Sequence, residues 1–101
     1  MGDTDEDVFR TASRIDARER IGEYEAFVLS SAYFYAVFGD CGGVERVSDR
    51  GRVWVAGGAI GIAGSDAPPI FVDKATGATW SKGQEQIANP RLFAKFVKKT
   101  I

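Results

Sequence analysis

The sequence predicts an α+β fold with an N-terminal helix, an antiparallel β-sheet of four to five strands with hairpins, and a C-terminal helix packed on the sheet. Apolar residues recur at helical spacing near both ends of the chain, and two turn signals separate strand-like segments in the middle. The 101 residues, 45% hydrophobic and 27% charged, have the size and composition of one folded unit. We therefore expect residues 1–101 to form a single domain.

The N-terminal segment has the pattern of an amphipathic helix. Thr4 followed by Asp7 resembles a capping box, in which two side chains satisfy the first free backbone amides. Apolar side chains then recur at helical spacing, at Val8, Phe9, Ala12 and Ile15. Gly22 readily adopts the left-handed conformation that ends many helices, so we expect this helix to end near it.

The segment 24–38 is almost entirely apolar, aromatic or small. Its content of Phe, Tyr and Val favours a strand, although periodicity alone leaves a short buried helix open. A break at Ser30-Ser31 would divide it into two strands, whereas an unbroken segment would be one long strand with both faces covered. We expect a central strand from Tyr33 to Phe38.

The next segment predicts a β-hairpin. A turn at 48–51 joins a polar strand, 44–47, to a more apolar strand, 52–56. The adjacent charges of Glu45 and Arg46 indicate an edge position, because charged edge strands resist pairing with other chains.

The closely spaced glycines of Gly57–Gly64 are similar to those of phosphate-binding loops, in which backbone amides approach an anion. It lacks the glycine spacing of a dinucleotide-binding loop and the Gly-Lys-Ser/Thr ending of a nucleoside triphosphate loop. We interpret it as a flexible connection of small residues packed closely against the sheet.

A second hairpin is predicted between the strand-like segments 70–72 and 78–80. In the intervening turn, the Asp73 side chain can accept hydrogen bonds from backbone amides, and Gly77 is expected at positive φ. Asn89-Pro90 then provides the preferred N-cap and first residue of the last helix. Its apolar stripe, which we expect to dock on the sheet, consists of Leu92, Phe93, Phe96 and Val97.

The composition argues against an enzyme. The chain has no histidine, and Cys41 is its only thiol, which excludes Ser-His-Asp and Cys-His catalysis and histidine-based or multi-cysteine metal sites within one chain. Asp66, Asp73 and Glu85 could approach one another, but no pairing suited to acid–base chemistry is evident. Carboxylate-only catalysis and hard-metal binding stay open by composition, but we expect no catalytic residue, no cofactor and no metal.

The same composition bears on compartment and partners. The N-terminus lacks a secretory signal, no apolar run approaches the roughly 20 residues that span a bilayer, and one cysteine cannot form an internal disulfide. A soluble cytoplasmic protein is therefore expected. The net charge of −1 favours neither nucleic acid nor a membrane surface as a partner. Core burial rather than stacking on nucleic-acid bases is expected for four aromatic residues, Tyr33, Tyr35, Trp54 and Trp80.

The run Gly64–Gly77, followed by Gly83 and a terminal helix, resembles the family of immunity protein 35 and the related YrhB-type small proteins. The segment Ala32–Tyr35 is similar to an aromatic strand in those proteins. Residues 44–56 have no clear counterpart in those proteins. Where they have a single proline, this chain has two, because Pro69 follows Pro68. The resemblance implies that the chain is the antitoxin partner of a bacterial polymorphic or contact-dependent toxin. Such an antitoxin protects the producing cell by binding the toxin and blocking its active site or substrate approach.

If the protein acts in this way, one face of the sheet or a hairpin tip is expected to contact the toxin. The candidate contact residues are charged residues at predicted loops and at the first hairpin, namely Asp40, Glu45, Asp49, Arg50 and Arg52. Alternatives are another small protein inhibitor, such as a phage-encoded anti-defence protein, and, from other classes, a small-ligand binder using the glycine-rich segment or a carboxylate-dependent hydrolase.

Overall fold

A computed structural model describes residues 4–39, 41–61 and 64–97. It confirms the predicted α+β class, with helices on one side of a five-stranded antiparallel sheet. The elements in chain order are α1 (Thr4–Ser13), α2 (Glu23–Phe38), β1 (Gly42–Arg50), β2 (Val53–Ile60), β3 (Ser65–Asp66), β4 (Ile70–Asp73), β5 (Thr79–Ser81) and a C-terminal 3₁₀ helix (Pro90–Phe96).

Helix α1 starts where predicted but ends at Ser13, well before Gly22. Local hydrogen bonds at its end replace further helical turns: the Ser13 hydroxyl donates to the carbonyl of Arg10 at 2.8 Å, and the amide of Arg18 donates to Oδ1 of Asp16 at 3.0 Å. Ser and Asp side chains compete in this way with helical backbone bonds. Gly22 instead is the N-cap of the next helix.

The prediction of strands in 24–38 is wrong, because this segment is one helix of 16 residues, α2. The amide of Gly22 donates to the carboxylate of Glu25 at 3.1 Å, the side-chain half of a capping box. Eight of its residues are buried, including an unbroken run from Val28 to Phe34. Such a helix has no polar face, so its sequence lacks the amphipathic stripe by which surface helices are recognised.

Strands β1 and β2 form the first predicted hairpin, and β1 occupies the predicted edge of the sheet. The turn lies later than predicted, since Arg50 pairs with Val53 and the loop consists of Gly51 and Arg52. Gly51 adopts φ 82°, which suits a tight two-residue loop. A register shift between Val44 and Arg46 forms a β-bulge in the edge strand.

The glycine-rich segment is not a flexible connection over its first part, because Gly57 to Ile60 continue β2. Gly58 is buried and lies opposite Val44 beside the bulge. A Cβ atom at Gly58 would overlap the carbonyl oxygen of Gly43 in the neighbouring strand. The glycine thus permits a close approach of two backbones rather than flexibility.

The second hairpin is confirmed, with β4 paired to β5 so that Phe71 lies opposite Trp80. The turn has the expected chemistry. Oδ1 of Asp73 accepts hydrogen bonds from the amides of Ala75 and Thr76 at 2.8 and 2.9 Å, and Gly77 has φ 74°.

The core lies between α2 and one face of the sheet. Fully buried α2 side chains, among them Tyr33 and Phe34, share one hydrophobic cluster with the alternate sheet residues Ala56, Ile70 and Val72. The Tyr33 hydroxyl also donates to the carbonyl of Glu85 at 2.6 Å and so connects α2 to the chain after β5. Helix α2 is therefore the layer that covers the sheet.

The C-terminal segment is a 3₁₀ helix capped as predicted, with Oδ1 of Asn89 accepting a hydrogen bond from the amide of Arg91 at 3.1 Å. It differs from the prediction in what it contacts, because it packs on α1 and α2 rather than directly on the strands. Phe93 is fully buried, Phe96 packs on Phe9 with ring centroids 5.3 Å apart, and Leu92 is 42% exposed. Helix α2 already covers this face of the sheet, so the last helix packs on α1 and α2 on the side of α2 away from the strands.

Candidate functional site

The face of the sheet opposite α2 has no helix of the described residues packed on it. Because side chains alternate along a strand, this face presents the residues between those of the core. We call it the open face. It contains a central apolar group of Val53, Val55, Phe71 and Trp80 and two flanking arginines, Arg46 and Arg50.

The centre of the open face is aromatic. The rings of Phe71 and Trp80 stack across β4 and β5 with centroids 5.6 Å apart and planes inclined by 21°. Val55 lies opposite Phe71 on the neighbouring strand, and all three side chains are partly exposed. The hairpin fixes the two strands and the stacked rings restrict each other, so less side-chain freedom remains to be lost when another surface packs against them.

Strand β1 adds positive charge to one side of this apolar centre. Arg46 lies opposite Gly57, and a Cβ atom at that glycine would be 2.8 Å from Nη2 of Arg46. The missing side chain of Gly57 therefore lets the guanidinium lie across the sheet. Arg50 is exposed and lies opposite Val53, which places it on the same face.

Asp49, one of the predicted contact residues, points to the other side of the sheet from Arg50. Its Oδ1 accepts a hydrogen bond from Nζ of Lys74 at 2.6 Å, and the buried Lys74 ammonium also lies 4.5 Å from the centre of the Trp54 ring. The Trp54 indole in turn donates to the carbonyl of Ile21 at 2.9 Å. These contacts connect the hairpin to the start of α2, and they give Asp49 a structural role.

The contact with Lys74 predicts acid sensitivity. The hydrogen bond from Lys74, and then the one from the Gly51 amide, hold the pKa of Asp49 below its ordinary value of 3.8. The ionised carboxylate therefore stabilises the fold above pH 3.8, and this contribution is lost as the pH falls through the lowered pKa. Asp49→Asn should be less stable than wild type in urea at neutral pH, with the difference shrinking as the pH falls below 3.8.

Asp66→Asn is the matched control, because Asp66 is exposed and forms no ion pair with the described residues. The difference in stability between Asp66→Asn and wild type should vary less with pH than the difference between Asp49→Asn and wild type. A constant difference between wild type and Asp49→Asn across the range would contradict the role assigned to Asp49.

The other predicted contact residues do not form one patch. Arg52 is exposed in the hairpin loop, and Glu45 lies in the β-bulge, where it lines a groove of about 440 Å³ with the exposed rings of Tyr24 and Phe27. Asp40 lies outside the described residues. Of the predicted set, the structure thus places only Arg50 on the open face within the part of the chain that it describes.

Sequence reasoning missed the apolar members of the open face. It assigned Trp80 to the core together with Trp54, whereas Trp54 lies on the α2 side and Trp80 on the open side. A usable signal was present, since Ile70 and Val72 alternate with Phe71. Alternation alone, however, does not tell which set of residues a helix will cover.

No metal-binding group of three or more acidic or cysteine side chains occurs within residues 4–39, 41–61 and 64–97. Over the same residues, no helix has the length and apolar character needed to cross a membrane. The arrangement offers a rigid aromatic surface with adjacent guanidinium groups, which is suited to contact with another molecule.

Comparison with known proteins identified no family, since no family model, curated protein or solved structure was found to match this chain.

Proposed function

We propose that this chain is a non-enzymatic binding protein that neutralises a cognate bacterial toxin in the cytoplasm by binding it through the open face and covering its active site or substrate approach. The observation that carries the proposal is the stacked Phe71–Trp80 pair on a sheet face that no described helix covers. The resemblance of residues 64–77 to immunity proteins supports the choice of a toxin as the partner.

The residue types on this face are those that contribute most to protein–protein binding. Tryptophan and arginine are enriched among residues whose truncation costs at least about 2 kcal/mol of binding energy. Trp80, with Val55 beside the stacked pair, supplies apolar area, while Arg46 and Arg50 supply charge at one side. A complementary toxin surface would therefore have an apolar centre and carboxylates opposite β1.

Truncation of the stacked tryptophan tests the proposal. Trp80→Ala should weaken binding to a toxin isolated as the cognate partner by roughly 30-fold or more, equivalent to about 2 kcal/mol. Binding is measured by calorimetric titration, and protection by the growth of cells that express the toxin together with each variant. Circular dichroism verifies that the variant is folded.

Tyr24→Ala is the matched control, because Tyr24 is an aromatic residue, 68% exposed, on α2 rather than on the open face. It should keep full affinity and protection. Full affinity of a folded Trp80→Ala protein would mean that the interface lies outside the open face. A turnover that disappears in a folded Asp73→Asn variant would instead indicate a carboxylate-dependent enzyme.

A further inference from the structure

A second concave surface lies where the chain leaving α1 meets the start of the 3₁₀ helix. It is an open cleft of about 990 Å³ between residues 13–18 on one side and 89–92 on the other. None of these residues belongs to the open face. We call this surface the arginine cleft, because three arginines line it: Arg14, Arg18 and Arg91.

The arginine cleft has uncompensated positive charge. Its one carboxylate, Asp16, accepts hydrogen bonds from Nε and Nη2 of Arg18, each at 3.0 Å, and these bonds raise the pKa of Arg18 and lower that of Asp16. This pair is neutral overall. Among the described residues no carboxylate forms an ion pair with Arg14 or Arg91, so two guanidinium groups remain to face a ligand.

The remaining walls are largely apolar or already committed to internal contacts. Pro90 is buried, Ile15 is partly buried against the core, and the Leu92 side chain is 42% exposed. The Asn89 side chain is occupied in capping the 3₁₀ helix. The cleft therefore combines arginines with apolar residues.

We propose that the arginine cleft binds a small organic anion that carries two phosphate or carboxylate groups on a less polar body. Guanidinium groups pair with the planar or tetrahedral oxygens of both anion types through two parallel hydrogen bonds. The cleft is open to solvent, and its volume of about 990 Å³ leaves room for a molecule of nucleotide size. This inference goes beyond toxin binding and does not depend on it.

The test is titration of the purified protein with ADP, inorganic pyrophosphate and citrate at constant ionic strength, followed by amide chemical shifts. Saturable binding of at least one probe is expected, with shifts at 13–18 and 89–92. Preference for pyrophosphate over citrate would identify phosphate as the recognised group, and the reverse would identify carboxylate. Tighter binding of ADP than of pyrophosphate would show a contribution of the apolar walls.

Variants decide whether the arginines form the site. Arg14→Gln and Arg91→Gln should each weaken binding about tenfold, the effect of one charge-assisted hydrogen bond. Arg52→Gln removes the same charge from the hairpin loop and should leave the affinity unchanged. No saturable binding of any probe, or equal weakening by Arg52→Gln, would overturn the proposal. Neither result would affect toxin binding by the open face, which Trp80→Ala tests separately.

Discussion

Replacing Phe93 with alanine should lower the free energy of unfolding by about 3 to 5 kcal/mol, measured by chemical denaturation. The side chain is fully buried in the cluster that joins α1, α2 and the 3₁₀ helix, and its ring centroid lies 6.3 Å from that of Phe96. Truncation removes apolar contact area and leaves a cavity that a short 3₁₀ helix is poorly able to fill by moving. Since small domains have about 5 to 15 kcal/mol of total stability, the loss is severe.

Leu92→Ala is the control for this experiment. Leu92 precedes Phe93 directly but is 42% exposed, so its truncation should cost less than about 1 kcal/mol. Equal costs for the two variants would contradict the orientation of the 3₁₀ helix. The sequence pattern assigned both residues to one buried stripe, and the experiment therefore distinguishes the structure from the pattern.

Gly58→Ala should destabilise the protein by about 3 kcal/mol or prevent folding, at the upper end of the range for overpacking. The added Cβ atom would overlap the carbonyl oxygen of Gly43 and lie 2.9 Å from Cα of Val44. Both are backbone atoms of the paired strand, so relief requires β1 and β2 to separate beside the bulge. Thermal and urea denaturation measure the effect.

The matched variant is Gly43→Ala, on the partner strand of the same ladder. A Cβ atom there meets only the hydroxyl oxygen of Tyr35 within 4 Å, at 3.9 Å, and Gly43 does not have positive φ. Its stability should change by no more than about 1 kcal/mol, since loss of glycine freedom in the unfolded chain favours the fold. Similar destabilisation by both changes would mean that the strands do not approach as closely as described.

The elements predicted correctly are those that short-range chemistry specifies. In the β4–β5 turn, Asp73 accepts bonds from amides two and three residues later, and Gly77 has the left-handed conformation within the same five residues. The cap at Asn89-Pro90 is equally local. These bonds form within a few residues, so the local sequence is sufficient to predict them.

The main error is the prediction of strands in residues 24–38, and it arises because this segment is specified by long-range contacts rather than by local chemistry. A helix surrounded by the sheet on one side and by α1 on the other has apolar residues all round, and its sequence is then indistinguishable by periodicity from a buried strand. Its identity depends on residues far away in the chain. The same is true of the open face, which exists because α2 covers only one side of the strands.

Composition and contacts between near neighbours are sufficient to predict the α+β class, the presence of both hairpins, the edge position of β1 and the lack of histidine-based or multi-cysteine chemistry. The side of the sheet on which a residue lies depends instead on contacts distant in the chain: Trp54 and Asp49 lie on the α2 side, while Trp80, Arg46 and Arg50 form part of the open face. Strand alternation separates side chains into two sets, and long-range packing of α2 chooses which set is buried.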